Sequence, residues 1–81
     1  MKITVTKEDI ENGLPNHKCK CPIALAIKRH GYNEVYVHRK YITIENYRQE
    51  LPEEAKIFVS LFDQSAWHAI KPFEFKLAEI E

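Results

Sequence analysis

The chain has 81 residues, 44% of them hydrophobic and 30% charged, with a formal net charge of zero. Such a length holds one domain, residues 1–81, and the composition excludes a disordered chain, which would carry fewer apolar residues or a large net charge. Neutrality provides no long-range pull on nucleic acid, and the longest apolar run, Ile23 to Ile27, is too short to span a bilayer.

Lys2 to Thr6 alternates polar and apolar residues and reads as a strand with Ile3 and Val5 on one face. A secretory leader would instead show a continuous apolar stretch of roughly 7–15 residues. Thr6-Lys7-Glu8-Asp9 reads as a capped helix start, a short turn ended by Asn12-Gly13. Cys21-Pro22 opens the first substantial helix, with Ile23, Ala24 and Ile27 on its apolar stripe and Gly31 as its stop.

Glu34 to His38 and Tyr41 to Glu45 read as paired strands. A hairpin centred between Arg39 and Lys40 sets Val37 against Ile42 and Val35 against Ile44 on one face. Tyr36, His38, Tyr41 and Thr43 then share the other face. Leu51-Pro52-Glu53-Glu54 starts the next helix, with Ala55, Phe58, Val59 and Phe62 as its buried stripe. Ser65 to Lys71 reads as a loop carrying Trp67 and His68, and Phe73 to Leu77 as a last strand. The expected class is α+β with βαββαβ order: a four-stranded antiparallel sheet, two helices on one face, in the ferredoxin-like arrangement. The second face of the sheet is expected to stay open to water.

Charge is unevenly distributed. His17 to Lys40 holds six basic residues and one acid, whereas Tyr41 to Glu81 holds four basic and eight acidic residues. The basic segment contains His17-Lys18-Cys19-Lys20-Cys21, the most unusual stretch of the chain. His17, Cys19 and Cys21 have the ligand types that zinc takes, although paired cysteines in structural sites are usually separated by two or more residues. With a fourth ligand not apparent, no cofactor is expected, and zinc is the metal this set would take. A Cys21 thiol at a helix start beside lysines is expected to titrate low, which makes redox chemistry the companion alternative. The simpler expectation is that Cys21 is a small buried capping residue. With only these two cysteines, a disulfide framework is not expected, and a reducing cytoplasm is the expected setting.

No nucleophile, base and orienting group come together in the pattern, and two glycines cannot build a phosphate loop, so no enzymatic activity is expected. The residues expected to meet a partner are Tyr36, His38, Arg39, Lys40 and Tyr41 on the hairpin, and Trp67 and His68 in the loop. A protein partner is favoured, with self-association as a further arrangement and no membrane contact. Aromatic and basic residues on an open sheet also suit single-stranded nucleic acid, which is the less favoured alternative.

The segments Cys21-Pro22-Ile23-Ala24-Leu25-Ala26, Leu51-Pro52-Glu53-Glu54-Ala55 and Pro72-Phe73-Glu74-Phe75 give the chain a further character. With Asp9-Ile10 and Gly13 they resemble a group of short proteins of tailed bacteriophages and prophages. That resemblance transfers no catalytic residue and no cofactor. It implies a phage-encoded accessory protein acting in bacterial cytoplasm, of the kind that binds a host or phage protein during host takeover or blocks a defence system.

Overall fold

Alternation places Ile3 and Val5 of β1 (Lys2–Val5) in the core and Lys2 and Thr4 at the surface. Residues 1–65 and 69–78 are described by the structure, a computed structural model. Thr6 starts α1 (Lys7–Asn12) through a reciprocal cap. The Asp9 N–H donates to Thr6 Oγ1 (3.2 Å), and the Thr6 N–H donates to Asp9 Oδ2 (2.9 Å). Asp9 is only 4% exposed, and its other oxygen accepts from Arg29 Nη1. Arg29 Nη2 also donates to the Thr4 carbonyl (2.9 Å). A single ion pair thus joins the first helix, the end of the second and the first strand.

The first helix stops at Gly13, whose N–H donates to the Asp9 carbonyl (2.8 Å). A Cβ at Gly13 would lie 2.5 Å from Pro22 Cδ and 2.7 Å from the Pro22 nitrogen, so the position accepts no side chain. It marks the close approach of α1 to the start of α2 (Pro22–Lys28). Ile23, Ala24, Ala26 and Ile27 bury one side of α2, and Gly31 turns the chain away at φ +101°.

The hairpin of β2 (Val35–Val37) and β3 (Tyr41–Ile44) has the expected register, Val35 opposite Ile44 and Val37 opposite Ile42. All four are buried. The chain then turns at Glu45-Asn46, with Glu45 at φ +55°, and runs back as β4 (Tyr47–Glu50). Ile44 pairs with Tyr47 and Ile42 with Gln49.

This extra strand overturns the expected sheet. The ferredoxin-like arrangement requires β3 to offer its second edge to β1. Here β4 takes that edge, so β2-β3-β4 closes as a three-stranded meander. The first strand pairs only with β5 (Phe73–Lys76), as a separate antiparallel ribbon that aligns Ile3 with Phe75 and Val5 with Phe73. The architecture is α+β with a two-stranded and a three-stranded sheet and three helices among the described residues, not one four-stranded sheet beneath two helices. Packing of α2 against both β1 and β2 connects the two sheets through their apolar sides.

The third helix, α3 (Glu53–Asp63), buries Ala55, Phe58, Val59 and Phe62, the stripe its spacing implies. Phe58 stacks on Phe73 (centroids 4.8 Å apart), and Phe73 on Phe75 (5.5 Å), which fixes α3 to the ribbon. A side chain also joins the sheets. Gln49 Nε2 donates to the Ala78 carbonyl (3.3 Å), and the Ala78 N–H donates to Gln49 Oε1 (2.9 Å). The Gln49 amide imitates a backbone pair where no strand pairing exists.

Burial alone would push the Asp9 carboxyl up. The Arg29 guanidinium and the donors of Thr6 outweigh it and hold the group below the ordinary carboxylate range. A depressed carboxyl stabilises the fold above its unfolded-state pKa and loses that contribution as pH falls through the folded one. Asp9→Asn should therefore cost about 2 kcal/mol near neutral pH, the scale of losing a charged hydrogen bond in a partly buried pair. Urea unfolding should show the difference from wild type shrinking as pH falls below about 4, where the free carboxyl also protonates. A difference independent of pH would refute the assignment.

Candidate functional site

The segment between α1 and α2 is long but tightly held. The Leu14 N–H donates to the Lys20 carbonyl (2.8 Å), which closes the loop on itself, and Lys28 Nζ donates to the Cys19 carbonyl (2.8 Å). The Val37 N–H donates to the Lys18 carbonyl (2.9 Å), so the loop covers the free edge of β2 at that point. On its other side the Asn16 N–H donates to Asp63 Oδ1 (2.9 Å) at the end of α3. Asn16 itself adopts φ +59°, a left-handed conformation that asparagine tolerates.

Those attachments enclose a cleft of about 220 Å³. Its apolar floor is made by Cys21, Val37 and Val59. His17 and Lys18 stand on the loop side, His38 and Arg39 on the hairpin side, and Asp63 closes the end. Two groups that lie far apart in the expected scheme, the His17-to-Cys21 stretch and the hairpin tip, therefore line one cavity. His17, Cys21, His38 and Arg39 meet there; Cys19 does not line it.

The cysteine geometry favours the bland expectation. Cys21 caps α2, with the Ala24 N–H donating to its Sγ (3.5 Å). Burial pushes its thiol up to about 11, aided by the nearby Asp63 charge and opposed by the N–H groups of Ala24 and Ile23. This corrects the expectation of a low-titrating thiol: loss of solvation outweighs the helix-end donors. The Cys19 N–H donates to His17 Nδ1 (3.3 Å), a contact that uses one imidazole nitrogen. Among the described residues, no three His, Cys, Asp or Glu side chains are grouped to hold a metal ion. Both cysteines are free thiols.

The outer face of the three-stranded sheet carries the other expected residues. Tyr36, Thr43 and Arg48 form one row across the strands, and Tyr41 stands opposite Glu50 in the next. Tyr36 is 38% exposed. His38 stacks on Tyr41 with centroids 4.2 Å apart and planes 21° from parallel. From the β4 side, the Arg48 guanidinium lies 4.8 Å from the Tyr41 ring centre. Burial, then the charges of Lys18 and Arg48, hold the His38 imidazole below its ordinary value, so it stays uncharged near neutral pH.

Arg39 and Lys40 are exposed at the hairpin tip. Among the described residues, neither they nor Lys18 and Arg48 pair with a carboxylate. Lys18, Arg48 and Asp63 are contributors that sequence reasoning did not select. Arg48 was hidden because β4 lacks alternating apolar residues; the signal was Asn46 in a turn followed by the strand-favouring Tyr47. Trp67 and His68 lie outside the described residues. No described helix is long and apolar enough to cross a membrane.

Native protein should show one rapidly reacting thiol per chain, Cys19, in a colorimetric thiol assay near neutral pH. Cys21 should join it only when the fold is opened by denaturant. Two equally fast thiols in the native protein would refute the buried, protonated assignment.

Comparison with protein-family models, with curated proteins and with solved structures returned no match.

Proposed function

We propose that the chain is a non-enzymatic binding protein that docks an acidic patch of another protein against the outer face of β2-β3-β4. The supporting observation is the preassembled His38–Tyr41–Arg48 stack, bordered by Arg39 and Lys40, cations that pair with no carboxylate among the described residues. Tyrosine and arginine held in place lose little conformational entropy on association, which favours them as anchors. A phage accessory role, with a host or phage protein as the partner, accords with the resemblance at Cys21 to Ala26 and Pro72 to Phe75.

Single-stranded nucleic acid is the weaker reading. Base stacking needs a free ring face, and Tyr41 is contacted by His38 from the β2 side and by Arg48 from the β4 side. Zero net charge adds nothing to attract a polyanion from a distance.

The test is capture from bacterial lysate, followed by titration of the purified partner. Tyr36→Ala and Lys40→Glu change the face without touching the cleft or the core. Each should weaken a stoichiometric partner about tenfold while leaving the unfolding midpoint unchanged, and added salt should weaken wild-type binding. Absence of a stoichiometric partner, or one that both variants keep at full affinity, would refute the proposal.

A further inference from the structure

The cleft beneath the hairpin tip supports an inference separate from protein docking. Its lining includes Lys18, Arg39 and two histidines, His17 and His38, and the Lys18 charge acts on the His38 ring. Neither cation pairs with a carboxylate among the described residues. Among the described residues Asp63 is the sole acidic side chain lining the cleft, and its Oδ1 already accepts from the Asn16 N–H. The Cys19 N–H at His17 Nδ1 leaves Nε2 as that ring's available position. Two cations against one carboxylate, over an apolar floor, give the described lining a positive balance.

Size narrows the ligand. At about 220 Å³ the cleft is smaller than the roughly 300–1,000 Å³ typical of cofactor and drug-sized sites. It has room inside for one compact group, with any larger remainder left outside the cleft. A lysine and an arginine on two different loops suit a tetrahedral anion, which presents oxygens in several directions, better than a planar carboxylate. We propose that this cleft binds a phosphate group, as the free ion or as the phosphomonoester of a larger molecule, through Lys18 and Arg39 with His17 and His38 beside it. The loop that carries Lys18 is attached to β2 and to α3 through Val37 and Asp63, so the site is formed before ligand arrives.

The experiment follows the His17 and His38 ring resonances by NMR at fixed pH and fixed ionic strength, with chloride exchanged for inorganic phosphate, O-phosphoserine or acetate. Phosphate should displace both rings saturably, and Lys18→Ala and Arg39→Ala should each weaken that response about tenfold. Tighter binding of O-phosphoserine assigns the ester, and tighter binding of inorganic phosphate assigns the free ion; both support the site. Displacement without saturation, an equal response to acetate, or indifference to both substitutions would overturn it. Circular dichroism and the unfolding midpoint check that each variant is folded, and the conservative Arg39→Lys should recover part of the response. Tyr36→Ala and Lys40→Glu should leave the phosphate titration unchanged, so failure here and failure of the docking proposal are told apart.

Discussion

A strand has two hydrogen-bonding edges, and in this fold the allocation of one edge decides most of the rest. The second edge of β3 is taken by β4, its neighbour in sequence, across a turn of two residues. Local pairing of this kind closes a short loop and costs little chain entropy compared with recruiting β1 from a position far earlier in the chain. Once that edge is filled, β1 is left with β5, and the apolar sides of two sheets must be joined by packing. Buried Ile42, Ile44, Val35 and Ile27 meet Ile3, Val5 and Phe75 in one core. The outer side of the meander remains exposed because no described helix crosses it.

Periodicity made much of this legible. The alternation of Ile3 and Val5, the stripe through Phe58 and Phe62, and the parity of Val35, Val37, Ile42 and Ile44 each encode a buried face, and each face is buried. Capping at Thr6 and at Cys21 was equally readable, because a polar or small side chain before a helix has a defined local task. The topology was not readable in the same way. Tyr47-Arg48-Gln49-Glu50 is an exposed edge strand held by backbone pairing, and backbone pairing leaves no hydrophobic signature in sequence. The left-handed Glu45 weakened the turn signal further, since glycine or asparagine is the usual occupant of that conformation.

The candidate site follows a similar division. The residue types at His17, His38 and Arg39 were conspicuous, but their meeting depends on long-range hydrogen bonds from Val37 and Asn16 that no local pattern specifies. Cys21 shows how environment outweighs residue type. The same helix-end N–H groups that would favour a thiolate in water act here on a sulfur removed from solvent, and desolvation wins. Chemistry suggested by a motif can therefore be cancelled by the floor on which that motif sits.

The approach of Gly13 to Pro22 has a consequence for how this sequence can drift. The obstruction at position 13 comes from the ring of Pro22 and also from its backbone nitrogen, 2.7 Å from where a Cβ would stand. Exchange of the proline for another residue removes the ring and leaves the nitrogen. The dependence is thus one-directional: position 22 can change without reference to position 13, but no replacement at 22 gives position 13 room for a side chain. Among variants that keep this fold, glycine at 13 should outlast proline at 22.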